Sequence, residues 1–261
     1  MFIDTHCHLD AAEFGDTQAD IVHAAEAAGV SRIVVPSVAR DNFRAVRALC
    51  GRFPNCAPAY GIHPMYVAGL SRDDMDVLHG YLKQHQPVAI GEIGLDFFVE
   101  NYDREKQEYL FIEQLKLARE FDLPALLHIR RAQDTVLKLL RQHKIRGGIA
   151  HAFNGSRQQA GEFIRLGFKL GFGGAMTYSR ATRLRELAAT LPLEYIVLET
   201  DAPDIPPDFL ERGAPNKPEY LPRIAQTLAE LRGMPLDEVA RITTENVLSA
   251  LPKLHPASTR K

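Results

Sequence analysis

The stretch ALLHIRRAQDTVLKLLRQHKIRGGIAHAF (125–153) decides how the chain folds. It opens with ALLHI (125–129), a short apolar run ending in a histidine, which reads as a buried strand. An amphipathic stretch over 133–143 follows, and GGIAHAF (147–153) then gives a second strand with a histidine near the same end. Strand, helix and strand in this order make a βαβ unit, whose two strands run parallel because the helix returns the chain.

The same alternation extends in both directions. Further strands are expected at FIDTHCH (2–8), RIVVPS (32–37), APAYGIH (57–63), VAIGEIG (88–94), FKLGFGG (168–174) and EYIVLETD (194–201). Helices are expected over roughly 17–28, 41–52, 72–85, 103–122, 156–166, 180–190, 218–232 and 235–250. In the helix over 103–122, Tyr109, Ile112, Leu115 and Leu117 supply the apolar period. Ser71 and Ser156 stand where N-caps are wanted, and Gly29 and Gly167 where a left-handed residue ends a helix. Strands apolar on both faces suit a parallel sheet covered by helices. Eight strand–helix units in 261 residues predict a single-domain α/β protein, a (β/α)8 TIM barrel over 1–261, with its active site at the C-terminal strand ends. A doubly wound sheet would need a glycine-rich phosphate turn after the first strand, and HLDAAEFGD (8–16) is not one. The irregular APDIPPDFLERGAPNKP (202–218), directly after the last strand, reads as a functional loop.

A net charge of −2 argues against a protein that coats nucleic acid, though it leaves room for a local basic site. Three cysteines without zinc-type spacing suggest a reducing setting. No leader-like segment and no apolar run of about 18 residues is seen. The expected location is therefore cytoplasmic, with no membrane association and no obligate protein partner.

The polar residues at the expected strand ends are His6, His8, His63, Glu92, His128, His151, Glu199 and Asp201. In the first strand, alternation puts Asp4, His6 and His8 on one side and Thr5 and Cys7 on the other. Alone, this His-x-His is either a metal-ligand pair or two polar residues at a strand end. Together, four histidines and two carboxylates form the nitrogen and oxygen donor set that suits two divalent cations such as Zn²⁺ or Mn²⁺.

On FIDTHCHLD (2–10), AIGEIGLDF (89–97) and LETDAP (198–203), the chain resembles the TatD family of metal-dependent hydrolases, within the amidohydrolase superfamily. GIHP (61–64), LHIRRA (127–132) and HAFNGS (151–156) lie between those motifs in the family's order. HIRRA (128–132) and PNKPE (215–219) are similar to its YjjV-type branch. The resemblance implies a two-cation site (zinc, magnesium or manganese): His6 and His8 with Asp201 nearby on one cation, His128 and His151 on the other, and Glu92 bridging. Asp201 would also orient the attacking water and take its proton, or act as a ligand alone. Asp4 and Glu199 are expected behind the ligands, and His63 either touches substrate or is a satisfied polar residue.

One of Arg130 and Arg131 should face the mouth and grip an anion, and the other should turn away into a surface ion pair. Asn154, Gly155 and Ser156 open a helix whose free N–H groups suit an anion too. The glycines of LGFGGAMTYS (170–179) permit close substrate approach or serve the turn. Lys217 stands where many relatives carry an acid, which places a positive charge near the mouth. The implied activity is phosphodiester hydrolysis, a deoxyribonuclease of 3′–5′ exonuclease type acting on single-stranded DNA. Cleavage of a C–N, ester or phosphodiester bond in a small metabolite is the alternative, and a non-catalytic metal-dependent binding protein stands behind both.

Overall fold

The computed structural model describes residues 1–71 and 73–254. Eight parallel strands form one sheet in sequence order. They are β1 (Phe2–Asp4), β2 (Val30–Pro36), β3 (Cys56–Tyr60), β4 (Ala89–Asp96), β5 (Ala125–Arg130), β6 (Gly148–Ala150), β7 (Phe168–Phe172) and β8 (Ile196–Leu198). Backbone bonds beyond the last strand bring the sheet round on itself: Thr5 N–H to Leu198 O, Asp201 N–H to His6 O and His8 N–H to Ala202 O. The result is the expected (β/α)8 barrel.

The helices are α1 (Gln18–Ala27), α2 (Phe43–Arg52), α3 (Asp74–His85), α4 (Arg104–Glu120), α5 (Gln133–His143), α6 (Arg157–Arg165), α7 (Thr182–Thr190), α8 (Leu221–Arg232) and α9 (Leu236–Ala250). Ser156 caps α6 as expected, its hydroxyl accepting from Gln159 N–H, and Gly29 and Gly167 take left-handed φ. Ser71 is not the cap of α3; Asp73 precedes that helix, and Asp74 reaches back to the Ser71 N–H and hydroxyl. The expected start at 72 lies outside the described residues. No helix among those described is long and apolar enough to cross a membrane.

The buried face of α4 is rotated from the one expected. Tyr109 is exposed, and the helix buries Gln107, Leu110, Phe111, Gln114, Leu115 and Ala118. The two glutamines are buried for polar reasons. Gln107 accepts from Asp96 N–H and donates to Asp96 O, and Gln114 does the same for Ile62. Each satisfies a backbone pair that the ladder leaves open at a strand end.

Inside the barrel, Ile3, Val34, Ala59, Leu126, Ile149 and Val197 form an apolar layer, floored by Val247 and Ala250 of α9 with Leu251 and Leu254. Two residues further along, the same side of β5, β6 and β8 presents His128, His151 and Glu199. Alternation alone would turn Glu92 of β4 outward, since Ala89 is inside. The ladder between β4 and β5 shifts register between Ile90 and Ile93, which brings Glu92 to the inner side.

Five strands are shorter than expected: β3 and β7 by two residues each, and β1, β6 and β8 by more. β1, β6 and β8 end at Asp4, Ala150 and Leu198, so His6, His8, His151, Glu199 and Asp201 stand just past the regular sheet. Ala152 and Asp201 take positive φ there, 43° and 58°. The chain turns into its loops at these points, earlier than propensity suggests.

Candidate metal centre at the C-terminal pole

Glu92 is the centre of the site and is buried. Its Oε2 lies 3.1 Å from His6 Nε2 and 3.4 Å from His8 Nε2. Its Oε1 faces a second group, at 3.0 Å from His128 Nδ1, 3.1 Å from His151 Nε2 and 3.5 Å from His63 Nε2. Asp201 Oδ1 closes the first group, 3.6 Å from His6 Nε2 and 3.7 Å from His8 Nε2. Among the described residues, three sets of donor atoms are tight enough to hold a cation: His6, Glu92 and His151; His6, His8 and Asp201; and His63, Glu92 and His128.

The ring orientations follow from what lies behind them. Asp96 Oδ2 sits 3.0 Å from His128 Nε2, so that nitrogen carries the proton and Nδ1 is left facing Glu92. Glu199 Oε1 lies 3.6 Å from His151 Nδ1 and accepts from Ala152 N–H, directing His151 Nε2 inward. Gly171 and Gly173 of the β7 segment make room for Glu199, since a Cβ at either would collide with it. Gly171 and Gly173 thus make room for a carboxylate as well as lining the cleft, and Gly174 makes room for the loop backbone at Ile205 and Pro207. His63 differs from the other rings. Its Nδ1 accepts from Met65 N–H, which leaves Nε2 as a donor pointed at Glu92.

Asp4 acts on the backbone, not on a ring. It accepts from the N–H groups of His6 and Thr200 and from the Thr200 hydroxyl, joining the ends of the first and last strands beneath His6 and Asp201. Cys7 is buried in the outer apolar cluster, as expected.

Charges in the cluster displace one another. Burial would raise the Glu92 carboxyl, but the imidazoles of His6, His63 and His151 outweigh it and hold Glu92 well below the usual carboxylate range. Burial raises Asp201 to about 6 and Asp4 to about 7. It lowers His6 and His63 to about 3. His8 goes the other way, to about 9, because Glu92 and Asp201 overcome its burial, and the same two carboxylates hold His151 well above its ordinary value. The buried Nδ1 atoms of His6 and His151 and the Oε2 of Glu199 have no hydrogen-bond partner among the described residues. Packing alone does not favour such a cluster, because buried charges and orphan polar atoms cost stability. Inward-facing imidazole nitrogens with carboxylate oxygens are a donor set that fits divalent cations.

A cleft of about 1550 Å³ opens above the cluster. Arg130 and Arg131 both line it, so the expectation that one would face away does not hold. Asn154 is on the rim and exposed, but its amide oxygen and carbonyl accept from Arg183. Pro203, Asp204 and Ile205 of the long loop line the cleft, and Asn216 fastens that loop by donating to Thr200 O and Ile205 O. Lys217 is not in the lining; its ammonium lies 3.9 Å from Glu219. Asp96, Gln107, Gln114 and Asn216 had no role in the sequence reading. Only Asp96 had a visible signal there: it is an acid at a strand end, inside the quoted AIGEIGLDF (89–97).

Comparison with known proteins gives a consistent result. A family model described as "TatD related DNase" matches residues 3–252. The chain is 43% identical over 249 residues to the "Uncharacterized metal-dependent hydrolase YjjV" of Escherichia coli, covering 94% of this chain and 95% of that protein. It is 34% identical over 255 residues to an "Uncharacterized metal-dependent hydrolase" of Haemophilus influenzae, covering 94% and 97%. The crystal structure of the E. coli protein, described as a TatD homologue, superposes with a TM-score of 0.93 at 41% identity, over 96% of this chain and 98% of that one.

Proposed function

We propose, since this chain belongs to the TatD family of metal-dependent hydrolases, that it cleaves phosphodiester bonds, with DNA ends as the substrate and two divalent cations held on the two sides of Glu92. The division of the Glu92 oxygens between two separate imidazole groups carries this reading. His6, His8 and Asp201 would hold one cation, His128 and His151 the other, and Glu92 would bridge them. The imidazoles suit zinc best, and the carboxylates give manganese and magnesium the oxygens that they prefer. Held by these residues, such cations would supply Lewis acidity, lowering the pKa of water and drawing on phosphoryl oxygens.

The remaining work belongs to side chains. Asp201, whose Oδ1 closes the group of His6 and His8, takes the proton of the attacking water. His63 points its Nε2–H toward Glu92 Oε1. Asp96 and Glu199 keep His128 and His151 aimed. The arginines at the mouth attract an anionic substrate, and a cleft on a protein of net charge −2 suits a single-strand end better than a long duplex.

The test is stepwise shortening of a 5′-labelled single-stranded oligonucleotide by chelator-stripped protein reloaded with Mg²⁺, Mn²⁺ or Zn²⁺. Shortening that disappears in Asp201→Asn is the expected outcome. No shortening with any of the metals, while metal binding is intact, overturns the nuclease reading and turns the search to small esters, amides and phosphodiesters.

A further inference from the structure

Arg130 and Arg131 are adjacent in sequence, so in a regular strand their side chains would point to opposite sides. Here both converge on one ring. The Arg130 guanidinium lies 3.7 Å from the centroid of Phe98, and that of Arg131 lies 4.4 Å from it. Arg131 reaches it by taking a φ of 54° immediately after β5, a conformation rare for a residue with a side chain. Phe98, 45% exposed, is held in turn by Asp96, whose Oδ1 accepts from the N–H groups of Phe98 and Val99. The other oxygen of the same carboxylate orients His128. Phe97 N–H also donates to Arg130 O, tying the ends of β4 and β5 together.

Several arginines elsewhere face acids, as Arg40 does Asp74, Arg141 Glu162 and Arg146 Asp122, and others lie singly over a ring, as Arg52 does over Phe53 and Arg223 over Phe209; Arg130 and Arg131 share one ring. Among the described residues, neither Arg130 nor Arg131 forms a salt bridge. An aromatic face holds a guanidinium without using its in-plane N–H donors, so both forks remain free for an anion. Planar forks suit phosphate oxygens, which they bind bidentately. Arg130 is two residues past His128 on β5, about 6.6 Å further toward solvent by the rise of a strand. That places the pair outside the cluster around Glu92, about one nucleotide along a strand from it.

We propose that Arg130 and Arg131, clamped by Phe98, form a subsite for a second phosphate of the substrate, one group removed from the bond that is cut. This rests on the phosphodiester reading of the site and narrows it: the preferred substrate carries at least two phosphates. Phe98 is a positioning residue in this scheme, acting through the arginines.

The test compares two chromogenic esters that differ only in that second phosphate, thymidine 5′-(p-nitrophenyl phosphate) and its 3′-phosphorylated form. Calorimetric binding of thymidine 5′-monophosphate and thymidine 3′,5′-bisphosphate to Mg²⁺-loaded protein is measured alongside. In the wild type the second phosphate should lower KM and Kd by about tenfold or more, mainly through KM and not kcat. That ratio should fall to near one in Arg130→Gln/Arg131→Gln and in Phe98→Leu, and be retained in Phe98→Tyr, which keeps the ring. Equal KM for the two esters in an active wild type overturns the subsite and leaves the phosphodiesterase reading standing. So does a ratio unchanged by Phe98→Leu for the clamping role of the ring. A wild type that cleaves neither ester, yet binds the bisphosphate at least tenfold tighter through these arginines, keeps the subsite and removes the phosphodiesterase reading.

Discussion

At one end of the barrel, Val247, Ala250, Leu251 and Leu254 pack against Ile3, Leu126, Ile149 and Val197. At the other end, two residues further along the same strands, stand His128, His151 and Glu199. The floor follows the ordinary rules of a protein interior. It is apolar, and the buried Asn246 amide beside it donates to Leu193 O and Ile196 O. The mouth departs from them, with imidazoles stacked at 3.9 Å between His6 and His151, carboxylates in contact with them, and polar atoms left unpaired. The floor supplies stability, and the mouth is assembled at its expense. Substitutions at the two ends should therefore fail in different ways.

Asp201→Asn should lower kcat by about 10³-fold, since it removes a base and a ligand together, while the melting temperature is retained or rises. Parallel turnover and calorimetric melting measurements would show whether the two effects separate. Leu126→Ala, at the floor, should do the reverse: a loss of about 2–5 kcal/mol in unfolding free energy, with turnover per folded molecule unchanged. Equal damage to activity in both variants would break the contrast. Asp96→Asn keeps the shape but weakens the hold on His128, and should cost about 10–100-fold in metal affinity by competition with a chelating dye.

Metal affinity should also depend on pH with a definite sign. His8, raised to about 9, and His151, raised well above its ordinary value, hold protons that a cation must displace. Binding should thus strengthen from roughly pH 6 to 8, by up to about tenfold per unit for each proton released. A flat profile would mean that those nitrogens are not ligands. The smallest effect is expected for Lys217→Glu. Its side chain faces Glu219 and does not line the cleft, so kcat/KM on an oligonucleotide should change less than about twofold.

The contrast between the ends also explains what could be read in the sequence. Strand periodicity and βαβ order were enough for the barrel, and alternation within β5, β6 and β8 carries an apolar residue at the floor into a histidine or acid at the mouth. Alternation fails at β4, where a register shift brings Glu92 inward; its place near a strand end singled that residue out, and the family resemblance gave it the bridging role. The buried face of α4 was misjudged because Gln107 and Gln114 are buried to satisfy strand ends, which an apolar period cannot register. Asn154 and Lys217 were assigned to the mouth by position in the chain. Asn154 does line the cleft, with its side chain engaged by Arg183, whereas Lys217 faces Glu219 outside it; both are tertiary contacts that leave no local signal. Phe98 was invisible for the same reason: its partners come from the neighbouring strand end.

The bridging role of Glu92 is tested most directly by anomalous diffraction from crystals soaked in Mn²⁺. Two peaks are expected, one among His6, His8 and Asp201 and one between His128 and His151, with Glu92 touching both. A single peak, or two peaks that Glu92 does not join, would contradict the two-cation centre.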